Sequence, residues 1–264
     1  MKRRLFALAL ALLLAVSLPV SALARDWYID DGDITISATE NGQTVSQGNT
    51  TEADVAPVIK QRESSTSTDR VIKVIAEEDA TANVTLGGVN IDASSRGNNT
   101  AGICTTGDGN VTIELDGNNS VKSAVYAAGL QKENGGNLTI KDGNTPAGRL
   151  EATGGIGGAG IGGGDAIIII KNGSNVTATG STNASGVGSS SFGNADVTIE
   201  DSTVKATGGD SGAGVGAANG GDATVKIKNS TVTGVGSGGI GVGAGGNGKV
   251  TIEGGSTITA EGTN

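Results

Sequence analysis

The chain has 264 residues, no histidine, a single cysteine and a formal net charge of −9. Lack of histidine removes the commonest general base, the commonest zinc ligand and the usual serine or cysteine triads. A lone cysteine, Cys104, closes no intramolecular disulfide, and the acidic balance argues against nucleic acid or an anionic membrane surface as partner.

Residues 1–24 read as a secretory signal peptide. Lys2, Arg3 and Arg4 form its basic start, "LFALALALLLAV" its apolar run, and "SALA" a small-residue site predicting cleavage after Ala24. The apolar run falls short of the roughly 20 residues that span a bilayer, and nothing later is apolar enough. The expectation is an exported protein, secreted or held at the cell surface, with no membrane span in the mature chain. Losing three basic residues takes the net charge from −9 to −12.

Residues 25–80 are less regular and read as an N-terminal cap with a first irregular coil, carrying Trp27, Tyr28 and "VAPVIKQ". Asp30, Asp31 and Asp33 in "YIDDGD" could hold calcium through carboxylate oxygens, or form an ordinary acidic turn. No other metal ligand set is visible.

From residue 81 to 264 the chain repeats. Short segments of the form "NVTLG", "NVTIE" and "NLTIK" recur, and their central residues are Leu86, Ile113, Ile140, Ile170, Ile199, Ile227 and Ile252. The steps between them are 27, 27, 30, 29, 28 and 25 residues. Repeats of this period mark a solenoid. A second alternating segment follows in each copy, carrying Ile91, Val121, Leu150, Val176, Val204, Val232 and Ile258. Alanines stand two positions on, at Ala93, Ala152, Ala178, Ala206 and Ala260. A third element, small–Gly–aliphatic, ends at Ile103, Leu130, Ile161, Val187, Val215 and Ile240. Period-two alternation means strands with one buried face. The predicted fold is all-β: a parallel β-helix (β-solenoid) of about seven coils of ~27 residues, three short strands per coil.

The stretch "GGIGGAGIGGGD" (154–165) contains Gly158-x-Gly160-x-x-Gly163, the spacing of a dinucleotide turn. Such a turn opens a helix, whereas this one precedes "AIIIIK", a strand. The glycines are therefore assigned to corners and close backbone approach. Outward charges are expected to form ladders: Glu114, Lys141, Lys171, Glu200, Lys228 and Glu253 on the first strand, Asp92, Lys122 and Glu151 on the second. Asn83, Asn110 and Asn137 are expected to stack at a turn, and Cys104 to share a column with Gln131 and Gly162. The last segment, "TITAEGTN", stops part-way through a coil, so either the sequence is a fragment of a longer surface protein or its end leaves an edge for end-to-end contact.

The order "VTLGGVNI", "VTIELDGNNSV", "GLQKENGGNLTI" and "LEATGG…AGIGGGD", over roughly residues 70–264, resembles secreted carbohydrate-binding β-helix proteins of clostridia and related gut Firmicutes. The resemblance implies a right-handed parallel β-helix of a bacterial surface protein, possible calcium, and a polysaccharide or surface glycan as partner. It brings no catalytic residue to this chain.

The expected function is a carbohydrate-binding or adhesive module. The alternatives are a structural spacer of a surface protein and a polysaccharide lyase, since β-helices host such enzymes. Fold alone does not award the chemistry. The expected ligand-binding residues are Tyr126, Gln131, Lys132, Glu133 and Asn134, because sugars take an apolar ring against the pyranose face and amide or charged groups at their hydroxyls.

Overall fold

The computed structural model describes residues 24–144 and 147–263. All but the last residue of the expected leader, 1–24, lies outside these. The described chain is a β-solenoid of about eight turns, ~28 residues per turn. Its only helical element is a single 3-10 turn, Ile29–Asp31.

The regular turns each contribute one strand to each of three sheets, and the N-terminal turns contribute to sheets 1 and 3 alone. Sheet 1 stacks Asp26–Tyr28, Val58–Lys60, Thr81–Gly87, Asn110–Asp116, Leu138–Lys141, Ala166–Lys171, Ala195–Glu200, Ala223–Lys228 and Gly248–Glu253. Sheet 2 stacks Asn90–Asp92, Asn118–Lys122, Arg149–Thr153, Asn175–Thr179, Thr203–Thr207, Thr231–Gly236 and Thr257–Gly262. Sheet 3 runs through Ile34–Thr39, Ile72–Ala76, Ile103–Thr106, Leu130–Lys132, Ile161–Gly163, Val187–Ser189, Val215–Ala217 and Ile240–Val242. Pairing is parallel throughout, except where Gly42–Gln47 and Thr50–Ala53 add an antiparallel pair to the N-terminal edge of sheet 3. Strands of the 25–80 region thus already belong to the stack, adding two to sheet 1 and two parallel ones to sheet 3 before the seven repeats legible in the sequence.

Alternation places one aliphatic side chain in the interior at every second residue. The third-strand column runs Ile103, Leu130, Ile161, Val187, Val215, Ile240 in unbroken register, as expected. Ile140, Ile170, Ile199, Ile227 and Ile252 also share one column, headed by Ile113. Two expected registers are corrected. Leu86 lies opposite Leu115, and Val84 opposite Ile113, a slip of two residues in the earliest repeat. For the same reason Asn110 faces Thr81 rather than Asn83, so the expected asparagine column holds only for Asn110 and Asn137. In sheet 2, Leu150 stacks on Asn119, and Val121 stacks between Ile91 and Ala152. The alanine column is Ala152, Ala178, Ala206 and Ala260, interrupted by Gly234; Ala93 precedes it outside the ladder. Glu151 correspondingly faces Ser120 and reaches Arg149 at 3.6 Å, leaving the expected Asp92–Lys122–Glu151 ladder as the Asp92–Lys122 pair.

Asn119 explains the sheet 2 shift. It occupies a buried inward position, and its carboxamide oxygen accepts the N–H groups of Gly88 and Val89 at 2.9 and 3.1 Å. Its amide donates to the carbonyls of Asp116 and Arg149, both at 3.2 Å. A buried amide satisfied on both ends holds one corner of the coil that an aliphatic residue would leave unpaired.

The glycines of 154–165 act as expected. Gly158 lies against the carbonyl of Ala127 and Gly163 against that of Lys132, so closely that a Cβ would collide with backbone oxygen. No helix follows; Ile161–Gly163 leads into the strand Ala166–Lys171.

The two ends of the stack differ. At the N-terminal end Ile29, Ile34, Ile36, Val45 and Ile59 are fully or almost fully buried, and Trp27 donates its indole N–H to Asp54 at 2.9 Å beneath the antiparallel pair. At the C-terminal end the inward column surfaces: Val250 is 41% and Ile252 52% exposed.

Candidate functional site

Sheet 3 passes to sheet 1 through a corner whose sequence recurs as Gly-Asx-small: Gly164-Asp165-Ala166, Gly193-Asn194-Ala195, Gly221-Asp222-Ala223 and Gly246-Asn247-Gly248. Strands pair in register across the corner, so the four Asx residues stack one per coil. Each side-chain oxygen accepts the backbone N–H of the next Asx: Asp165 from Asn194 at 2.9 Å, Asn194 from Asp222 at 3.0 Å, Asp222 from Asn247 at 2.7 Å. The ladder satisfies one backbone donor per coil and fixes the carboxylates and amides in a row.

Two residues on, the outward positions form a second row of Ile167, Asp196, Thr224 and Lys249. These two rows line a cleft of about 440 Å³. A second cleft of about 500 Å³ is lined by Lys132, Glu133, Asn134, Gly135, Gly164, Asp165 and Ile167. Asp165 and Ile167 belong to both, so the clefts form one groove crossing five coils. Four steps of ~4.8 Å make it about 19 Å long.

Apolar surface accompanies the groove. Ile167 is 40% exposed on its floor. Phe192, two residues before Asn194, is 76% exposed, has a left-handed backbone (φ 62°), and lays its ring over Gly220, two residues before Asp222. Only a residue without a side chain at 220 gives the ring that seat.

The five sequence-expected residues divide between two corners. Tyr126 stands at the corner before Leu130–Lys132, 61% exposed, with its ring against Gly157 of the next coil and its N–H donated to the Ile156 carbonyl. Like Phe192 it lines neither part of the groove, and unlike Phe192 it stands at the other corner, between sheets 2 and 3. Gln131 is half-buried, accepts the Ala128 N–H at 3.0 Å and donates to Glu133. Lys132, Glu133 and Asn134 line the groove. Glu133 is the exposed member. Asn134 is buried, accepts from Thr105 at 2.8 Å and donates to the Gly109 carbonyl at 2.9 Å, tying the corner together. Lys132 points inward above Gly163 and donates to the Asn134 carbonyl. Burial lowers its pKa from the ordinary lysine value, partly offset by the charge of Asp165.

Cys104 shares its column with Gln131 and Gly162. Burial, then the nearby charge of Glu133, pushes its thiol up to about 11, the reverse of an activated nucleophile. The carboxylates considered for calcium are taken by arginines: Asp31 by Arg62 at 2.7 and 2.8 Å, Asp33 by Arg96 at 2.8 and 3.1 Å. Asp30 accepts the Arg62 backbone N–H at 2.9 Å. Among the described residues no group of three His, Cys, Asp or Glu side chains converges on a metal position, and no helix is long and apolar enough to cross a membrane.

Fold and groove together define a β-solenoid with an open, acidic and amide-lined groove along one corner. No protein-family model, curated protein or solved structure matches the chain.

Proposed function

We propose that this chain is a non-catalytic, carbohydrate-binding module of a secreted or cell-surface protein, and that it holds an extended glycan along the corner groove. The observation that carries the reading is the groove itself: a row of Asp165, Asn194, Asp222 and Asn247 beside the apolar Ile167, with Phe192 exposed outside the lining at the same corner. Carboxylates and amides spaced one per coil accept and donate to sugar hydroxyls, while Ile167 and the Phe192 ring offer CH surface to a pyranose face. The lining sets four carboxylates, Asp165, Asp196, Asp222 and Glu133, against two lysines, Lys132 and Lys249, a balance that favours a neutral or amino-bearing glycan over a uronate polymer. This also weighs against the lyase alternative, whose substrate carries the carboxylate that this balance disfavours. The sequence-expected Lys132, Glu133 and Asn134 enter as one end of the groove, and Phe192 takes the role expected of Tyr126.

The test is a glycan array on residues 25–264, followed by titration calorimetry of the best oligosaccharide. Phe192→Ala with Asp196→Ala should weaken binding at least tenfold with little change in melting, because both side chains are exposed. Undiminished affinity in that pair, with loss in Tyr126→Ala, would move the site to the other corner. A chain that binds nothing on the array would favour the spacer reading.

A further inference from the structure

Among the described residues Lys132 is the only buried cation, 3% exposed. A lysine is almost never buried unless it is paired, because taking an ammonium out of water is costly. Here the pairing is incomplete. The ammonium carries three donors, yet it meets one acceptor, the Asn134 carbonyl, and among the described residues no carboxylate lies at hydrogen-bond distance from it. The coil does not need a cation at this place, since the same column holds Thr105 one coil before and Gly163 one coil after. What the position has is a cleft of about 500 Å³, which Lys132 lines together with Asp165 and Ile167 of the next coil.

Those three residues offer three different contacts. Lys132 has N–H donors to spare. Asp165 uses one oxygen to accept the Asn194 N–H at 2.9 Å and keeps the other for a further donor. Ile167 presents apolar surface, 40% exposed. Glu133 does not compete, because its two oxygens accept from the Gln131 amide and the Cys104 thiol. A ligand ammonium would meet Lys132 as a like charge, and a ligand carboxylate would meet Asp165 in the same way. A hydroxyl leaves Ile167 unused. An acetamido group uses all three: its carbonyl accepts from Lys132, its N–H donates to Asp165, and its methyl lies on Ile167.

We infer that this cleft is a subsite for the acetamido group of a 2-acetamido sugar, with Lys132, Asp165 and Ile167 as its specificity-determining residues. The inference rests on the reading of the groove as a glycan site and narrows the ligand to a chain that carries N-acetylated amino sugars.

Titration calorimetry on residues 25–264 tests it with three β-1,4-linked tetramers, of N-acetylglucosamine, of glucose and of glucosamine. The acetylated tetramer should bind at least about tenfold tighter than either of the others, which lack the group that completes the partners of the buried ammonium. Lys132→Met keeps the aliphatic stem and removes the donors. It should weaken the acetylated tetramer until it and the glucose tetramer bind nearly alike, with melting unchanged or raised because an incompletely paired buried charge is gone. Ile167→Ala alters an exposed side chain and should lose part of the preference, which keeps the test open if Lys132→Met fails to fold. Glucose or glucosamine tetramer bound as tightly as the acetylated one would overturn the inference and leave the groove reading standing. Lys132→Met with lowered melting and an intact preference would make Lys132 a structural tie to the Asn134 corner and overturn it too. Absence of binding to all three tetramers would also overturn it, and the wider array then decides the groove.

Discussion

At the scale of single residues the solenoid is read by asking what each inward or outward position must do. Cys104 faces out beside Glu133, 3.8 Å from its carboxylate, and is kept as a thiol by burial and by that charge. At pH 8 its alkylation by iodoacetamide should run roughly 100-fold slower than that of an unhindered cysteine, tracking the smaller thiolate fraction. Glu133→Gln removes the charge but not the burial and should speed the reaction only in part. Alkylation of the folded parent at the rate of a free thiol would show that Cys104 is not held as described. Residues of this kind were legible from the sequence, because Cys104 follows the small–Gly–aliphatic element that keeps its register in every coil. Asn119 was not. Alternation of polar and apolar residues fixes the face of a side chain, and a slip of two residues leaves every face unchanged. Only the amide's buried hydrogen bonds settle which aliphatic neighbour Leu150 meets, and those partners lie 30 residues away.

At the scale of the strand, stability comes from like meeting like one coil away. Ile199 lies on Ile227 with both fully buried, while outside them Glu200 meets Lys228 at 2.6 Å. The Lys228 partner holds Glu200 below the ordinary glutamate range, and the carboxylate in turn raises Lys228. Both side chains are exposed, so the pair adds little by itself and fixes alignment more than it stabilises. Glu200→Lys would line up lysines at 171, 200 and 228. The melting temperature should fall modestly in low salt and recover toward the parent as salt screens the column. A salt-independent fall would mean that these side chains do not meet. The same comparison of coils explains why the groove was only half legible. Gly-Asx-small recurs in the sequence, also outside this corner as at Gly209-Asp210-Ser211, and Asp165 and Asp222, 57 residues apart in the chain, join one row only when the register is known. Lys132, Glu133 and Asn134 were found because they are contiguous. Phe192 was passed over because nothing local shows that Gly220 will lie beneath its ring.

For the whole molecule, the N-terminal end is where loosening by acid should be seen first. Asp31 and Asp33 both titrate below the usual aspartate value: Asp31 through the Arg62 side chain, and Asp33 because hydrogen bonds from Arg96 and the Val71 N–H outweigh the opposing effect of burial. A carboxylate whose folded pKa lies below its unfolded value contributes stability that is present above the unfolded value and lost as pH falls through the folded one. The window for both therefore lies below about pH 4. Trp27, the only tryptophan, reports on this end. Its emission should shift to the red below about pH 4, at milder acid than the collapse of the sheet signal in circular dichroism. Arg62→Gln with Arg96→Gln should move that shift to higher pH. A single concerted acid transition, unaffected by the two arginines, would show that the end does not loosen separately.

The covered N-terminal end also gives the molecule a direction of growth. In a stack where each turn touches only its neighbours, the costly event is the first pair of turns; each later one is laid against a finished edge. A ribosome delivers this chain from the covered end, so the antiparallel pair and the Trp27 layer can close before the first regular repeat is complete. Every further ~28 residues then meet a template already set in register, much as molecules join a crystal at its growing face. Trimming such a rod from Gly262 backwards should shorten it one layer at a time, whereas removing Arg25–Lys60 would uncover the aliphatic layer at Ile72 and Val74 and leave the stack without its cover.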